Sequence, residues 1–201
     1  MRRLAVIALC GLAVVESGCG LKAQGSVHRA ETHQTNSTPH QGVHTRSAAT
    51  PSPASTPIPS PAPGVDLHSA TAVADAEVTA TWTVDTTVDT SWYAAELRAT
   101  AYMTKSYATS IRQNPPASGP GATWLTWATH QAAAVVTTTT EDDPGGPIDT
   151  TSSAYRKVLA TVTPHGTGGW TEPPEVWATF VVLTRSAQGA PWQVSTTETT
   201  R

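Results

Sequence analysis

The histidine best placed to act as a general base is His130, which lies between Trp127 and the apolar segment 132–136. An imidazole titrates near neutral pH and can therefore accept or donate a proton during a reaction. If His130 is catalytic, we expect its ring to project into the interior of the domain. No acidic residue beside it in the sequence is placed to orient the ring, so the alternative is a packed or surface histidine.

Two groups of side chains are of types that bind metal ions. The first is a run of carboxylates whose oxygens suit Ca²⁺, but the glycine and the spacing of an EF-hand loop are missing. The second is a set of histidines near the N-terminus, whose separations fit no closed structural zinc site. The members are Glu141, Asp142, Asp143 and Asp149, and His28, His33, His40 and His44. We predict a solvated acidic turn and solvated histidines, and no bound metal.

Tryptophan is the most unusual part of the composition, with seven residues in the chain. Trp82, Trp92, Trp177 and Trp192 lie at positions within predicted elements that favour the core. Trp170 instead lies in a turn rich in glycine and proline, where we expect it to be exposed. Exposed tryptophan is typical of contacts with a protein or an apolar ligand, so Trp170 is the candidate contact residue.

The sequence contains no phosphate-binding loop, nucleophile elbow, dinucleotide fingerprint or zinc-ligand spacing. In the segment 65–201, Arg156 and Lys157 form the only adjacent basic pair, which is too little for nucleic-acid binding. The sequence therefore predicts a protein that is not an enzyme, takes no cofactor and binds no nucleic acid.

The N-terminus has the pattern of an export signal. Arg2 and Arg3 precede an apolar run from Leu4 to Val15, which is shorter than the roughly 20 residues that span a bilayer. Ser17, Gly18 and Cys19 then resemble a bacterial lipobox, in which the cysteine thiol receives a diacylglyceryl group before cleavage.

Glu16 departs from the lipobox, which has an aliphatic residue at the third position before the cysteine. The alternative is an ordinary secreted protein that is cleaved nearby. We predict a lipoprotein signal peptide over 1–18 and lipidation of Cys19, which would anchor the protein to the outer face of the cell membrane. The other cysteine, Cys10, would leave with the signal peptide.

The segment 19–64 is predicted to be a disordered tether. It is rich in Pro, Ser, Thr and His, and its prolines nearly alternate between Pro51 and Pro63. Such spacing excludes helix and favours extended polyproline II. All twelve aromatic residues lie at or after Trp82, so the tether lacks the side chains of a core.

Net charge also differs between the N-terminal segments and the predicted folded domain. Residues 1–19 carry +1, residues 20–64 carry +2 and residues 65–201 carry −6, although the whole chain carries only −3. The predicted folded domain, 65–201, is therefore acidic and holds all of the aromatic residues.

Helices are predicted in the first part of this domain. Apolar residues at three- and four-residue spacing indicate a helix from an N-cap at Asp66 or Ser69 to Trp82, and 83–90 resembles a loop. Ser91 and Thr104 are plausible N-caps of a second helix and of a third that ends near Arg112.

Strands are predicted after the glycine and proline loop at 119–121. The four stretches with β-branched or alternating residues are 132–141, 154–163, 176–185 and a last strand around Trp192 and Val194. Helices followed by antiparallel strands predict an α+β domain, with helices packed on a curved sheet of about four strands.

Aromatic and threonine residues at the helix boundaries resemble those of exported actinobacterial proteins with a cystatin-like, or nuclear-transport-factor-two-like, domain. The resemblance covers roughly 66–197 and rests on Trp82, on Asp89-Thr90-Ser91-Trp92, on Tyr102-Met103-Thr104, on Tyr107-Ala108 and on the closing segment 189–194. It implies a sheet curled around helices into a cone. Some relatives act in the assembly of conjugation channels, and others use the cone as an enzyme pocket.

These patterns predict a lipid-anchored envelope protein whose non-catalytic domain binds another protein, such as a component of a secretion or conjugation apparatus. The alternative is a domain that binds a small apolar ligand, or that performs acid–base chemistry from His130 in a cone-shaped pocket. A passive spacer or sensor is the third possibility.

Overall fold

The computed structural model describes residues 58–201. The predicted signal peptide, Cys19, the four histidines of the tether and the tether itself as far as residue 57 lie outside the described residues. Within 58–201, no helix is long and apolar enough to cross a membrane.

Helices come first in the described chain, and an antiparallel sheet follows them, as predicted. The sheet has the order β1-β2-β3-β4, so each strand pairs with the next one along the chain. The elements are α1 Ala70–Trp82, α2 Trp92–Ala99, α3 Lys105–Gln113, α4 Ala122–Thr129, β1 Ala133–Glu141, β2 Ser153–His165, β3 Glu175–Thr184 and β4 Gln193–Thr200. The predicted α+β class and the curved sheet of four strands are confirmed.

The predicted starts of the first three helices are also confirmed. The Ser69 hydroxyl accepts a hydrogen bond from the backbone N–H of Ala72 at 3.2 Å, and the Thr104 hydroxyl accepts one from Tyr107 at 3.3 Å. These bonds satisfy N–H groups that the first turn of a helix leaves without a partner. Ser91 precedes α2, but its side chain makes no capping hydrogen bond.

The fourth helix corrects the expectation that β structure follows the loop at 119–121. Helix α4 begins after Gly121, whose φ of +90° suits glycine. Trp124 and Trp127 are three residues apart on one face, and both are buried. Tryptophan and threonine favour strands in isolation, but burial of this face overrides that preference.

The core lies between α1 and the sheet. Val73, Ala74 and Val78 of α1 are completely or almost completely buried. From the sheet, Val158 of β2 and Leu183 of β3 are inaccessible to solvent. The predicted alternation of β2 is confirmed, because Val158 and Val162 are buried whereas Lys157 is partly exposed and pairs with Glu141 on β1.

The last seven residues of the predicted tether fall within the described part of the chain. The backbone N–H of Ala62 donates a hydrogen bond to the Tyr102 hydroxyl at 3.1 Å. Tyr102 belongs to a short 3₁₀ turn after α2 and is buried. Contacts of the folded domain therefore begin upstream of α1.

Candidate functional site

Four tryptophans from both layers of the fold meet at one end of the domain. Trp82 ends α1, Trp92 begins α2, Trp127 lies in α4 and Trp177 lies in β3. They line a half-open cavity of about 440 Å³, here called the tryptophan groove, together with Tyr93, Glu96, Glu175 and Arg201. The groove therefore offers a mostly apolar surface that is rich in aromatic rings and carries a few charged groups.

Ring packing fixes the walls of the groove. The rings of Trp82 and Trp177 stack with their centroids 4.9 Å apart and their planes at 21°. The ring of Trp92 meets that of Trp127 edge to face at 5.0 Å. Both arrangements are favourable for aromatic pairs, so each ring restrains the position of its neighbour.

The polar edges of two of these rings have partners within the protein. The indole N–H of Trp92 donates to the carbonyl of Pro120 at 3.1 Å. That of Trp127 donates to the Glu172 carboxylate at 3.0 Å. Because these N–H groups are satisfied, the two rings contribute apolar surface to the groove and do not need a polar ligand.

A cationic side chain already lies on one wall of the groove. The guanidinium carbon of Arg201 is 4.5 Å from the ring centroid of Trp177, and the same group pairs with the Glu175 carboxylate. This arrangement combines a cation–π contact with an ion pair. The Arg201 side chain is 62% exposed, so the groove holds it at its mouth and not in its interior.

A second, smaller cavity of about 40 Å³ adjoins the groove and is here called the inner chamber. Its walls include Glu77 of α1, Tyr107 of α3 and three threonines of β3 and β4. Thr81, Trp82 and Glu96 line both cavities, so the two cavities meet at these side chains.

The inner chamber contains a buried carboxyl group with one oxygen unsatisfied. Glu77 is 2% exposed, and its Oε1 accepts a hydrogen bond from the Thr81 hydroxyl at 3.0 Å. Its Oε2 has no hydrogen-bond partner within the described part of the chain. Such a group is rare in folded proteins, because an unpaired buried polar atom is energetically costly.

Burial raises the pKa of the Glu77 carboxyl from 4.5 to about 7. The hydrogen bond from Thr81 opposes this rise, and the negative charge of Glu96 adds to it. Partial burial also raises the pKa of the Glu96 carboxyl. The region between the two cavities therefore disfavours negative charge, and among residues 58–201 neither carboxyl forms an ion pair.

The predicted site residues His130 and Trp170 lie together, apart from both cavities. His130 follows α4 directly, and Trp170 follows the turn after β2. The centroids of their rings lie 4.3 Å apart, and the ring planes differ by 8°. The expectation that Trp170 is exposed is wrong, because its side chain is half-buried in this stack and packs against the core. Gly166 leaves the room that the stack needs, because a Cβ atom there would lie 2.7 Å from the carbonyl oxygen of His130.

The acidic residues of the β1–β2 connection are partly neutralised by basic neighbours. Glu141 pairs with Lys157 at 2.9 Å, and Asp149 pairs with Arg156 at 2.9 Å. Residues 58–201 contain no group of three or more His, Cys, Asp or Glu side chains arranged to hold a metal ion.

Sequence reasoning did not identify Glu77 as a functional candidate, although a signal was present. Glu77 falls on the apolar stripe of α1, beside Val73, Ala74 and Val78. A carboxylate on the buried face of a helix is unusual enough to indicate either a paired charge or a site. The structure shows that the second carboxylate nearby, Glu96, comes from α2.

No protein family model, no curated protein and no solved structure matches this chain. The likeness to the cystatin-like superfamily therefore stays a prediction from the sequence.

Proposed function

We propose that the chain is a lipid-anchored binding protein on the outer face of the bacterial cell membrane, and that its tryptophan groove takes a small, partly apolar ligand. The observation that carries the proposal is the groove itself. Its volume of about 440 Å³ falls within the range of small-molecule sites, and its aromatic walls with a few charged groups match the composition of such sites.

The arrangement supports binding better than acid–base catalysis from His130. The His130 ring stacks on Trp170 and lies outside the groove. Within the described residues, no hydrogen bond joins that ring to an acidic side chain. A catalytic base needs a place beside the bound substrate and an orienting partner, whereas His130 lies outside the groove and has no acidic partner among residues 58–201.

Binding of a protein partner is a second candidate, and a different surface favours it. Val135, Val176 and Phe180 are 56%, 52% and 36% exposed on the strands, and they alternate with residues that face the helices. Exposed apolar side chains on an open sheet face are typical of protein contacts. This outer face, not the groove, would then meet the predicted envelope partner.

The binding proposal predicts that 2-phenylethanol, a neutral aromatic probe, occupies the groove. Saturation-transfer NMR on the full chain carrying Cys19→Ser should show contact between probe and protein. Trp177→Leu should weaken binding about five-fold or more, because it removes one aromatic wall. Phe180→Leu, a matched change on the outer face, should leave binding unchanged. Equal losses in the two folded variants, or no saturation transfer at all, would refute the proposal.

The proposed anchor predicts that the mature protein begins at Cys19 with a diacylglyceryl group on its thiol. Mass spectrometry of the N-terminal peptide should find this mass, and the protein should sediment with membranes. Cys19→Ser should abolish the diacylglyceryl mass because the lipid acceptor is lost, whereas Ser17→Ala should keep it. An unmodified N-terminus at another residue would contradict the anchor.

A further inference from the structure

The charges around the two cavities are strongly one-sided. Glu77, Glu96 and Glu175 are carboxylates in their walls, and Arg201 is the one basic residue among the described residues that line them. Arg201 pairs with Glu175 at the mouth of the groove. Within residues 58–201, neither Glu77 nor Glu96 makes an ion pair, so a cationic ligand would not have to displace a basic side chain from either carboxyl.

Like the carboxylates, the aromatic walls favour a positively charged ligand. The face of a tryptophan ring carries negative electrostatic potential and attracts cations. Arg201 demonstrates this attraction on Trp177. A cation that entered more deeply would meet Trp82 and Trp92, together with the Glu96 carboxylate.

In the ionised form of Glu77, the unsatisfied Oε2 needs a hydrogen-bond donor. Thr81, which lines both cavities, already donates to the other oxygen, Oε1. Chamber-lining threonines could satisfy part of this need only by turning their hydroxyl groups, and Thr179 and Thr199 already bond to each other at 3.2 Å. A primary ammonium group offers three donors and a positive charge, which suits a buried carboxylate.

We propose that the tryptophan groove and the inner chamber together form a binding site for a small organic ammonium ion. Its apolar body lies on the tryptophans, and its ammonium group pairs with Glu96 at the wall of the chamber and donates toward Glu77. This inference rests on the proposed function, because it names the ligand class of the same groove. The ligand is a small molecule, because the inner chamber, at about 40 Å³, has room for a group about the size of an ammonium ion.

Three probes with the same phenyl body test the ligand class, namely 2-phenylethylammonium, 2-phenylethanol and 3-phenylpropionate. At pH 8 we expect the cation to bind about ten-fold more tightly than the alcohol, and the anion to bind most weakly. Equal affinity for cation and alcohol would overturn the ammonium site and leave the binding function intact. Failure of all three probes to bind would overturn both.

Charge-removing variants test which carboxylate acts. Glu96→Gln should weaken binding of 2-phenylethylammonium about five-fold or more and leave 2-phenylethanol unaffected. The matched control is Glu198→Gln, which removes one charge from β4 without touching either cavity. Equal losses in both variants would assign the effect to overall charge and overturn the site.

Arg201→Gln should change the affinity for 2-phenylethylammonium in the opposite direction from Glu96→Gln. Damage to the structure alone would not produce tighter binding. Removing the guanidinium from Trp177 frees that ring and the Glu175 carboxylate, so the cation should bind more tightly. Weaker binding of the cation in this variant would contradict the proposal.

The pH dependence provides a further test, because a cation favours the ionised form of Glu77. The other titratable groups that line the chamber are Glu96 of α2 and Tyr107 of α3, while β3 and β4 contribute threonines. Affinity for 2-phenylethylammonium should therefore rise between pH 6 and pH 8, and this rise should largely disappear in Glu77→Gln. If the affinity rises equally with pH in Glu77→Gln, then Glu77 is not part of the site.

Discussion

Glu77→Gln is expected to make the domain more stable at pH 8 and to change its stability little at pH 5. The carboxyl of Glu77 has its pKa raised by burial from 4.5 to about 7. Between pH 4.5 and about pH 7, the Glu77 carboxyl keeps its proton in the folded state but has released it in the unfolded state. Stability must therefore fall as pH rises through this interval, and the full penalty is present above pH 7.

The size of this effect is about 3 kcal/mol at pH 8, on the scale of 1.4 kcal/mol for each tenfold change in proton affinity. Glutamine has nearly the same shape and can keep the hydrogen bond from Thr81, but it carries no charge. Urea denaturation of both proteins at pH 5 and pH 8 measures the difference. A small residual slope is expected in the variant, because Glu96 shifts in the same direction. Identical slopes in the two proteins would contradict an ionisable group at this position.

Trp92→Ala is expected to lower the free energy of unfolding by about 3 kcal/mol, as for other large aromatic truncations. The Trp92 ring contacts Trp124 and Trp127 edge to face, with centroids 5.1 Å and 5.0 Å away, and its N–H bonds to the carbonyl of Pro120. Removing the ring takes packing from α4 and leaves that carbonyl without this donor.

The control for this variant is Trp170→Ala. Trp170 is also half-buried, but among residues 58–201 its ring stacks on His130 alone. We expect that change to cost about 1 kcal/mol, and urea denaturation followed by circular dichroism compares the two. Equal losses would show that the contacts of Trp92 with α4 are not what stabilises this end of the domain.

The helix starts could be predicted from sequence because their causes are local. Ser69 and Thr104 accept hydrogen bonds from residues only three positions ahead, so the sequence alone contains both partners. The alternation of β2 is equally local. Helix α4 could not be predicted from the preferences of its residues, because burial of Trp124 and Trp127 against distant parts of the chain decides its conformation.

The candidate site depends on the fold and not on a local motif. Trp82 and Trp177 stack although they belong to the first helix and the third strand, and no spacing pattern indicates such a contact. His130 is the converse case. The chain reverses after α4, where Gln131 adopts a φ of +50°, and His130 stacks on Trp170 outside both cavities.

The hydrogen bond between Ala62 and Tyr102 has a mechanical consequence for a protein held at a surface by its N-terminal segment. A pulling force transmitted along that segment would reach the domain at Tyr102 before it reached α1. Tyr102 is buried beside Met103, whose backbone forms a parallel bridge to Val194 of β4. Tension would therefore be shared with the last strand of the sheet, and the first helix would be shielded until this contact broke.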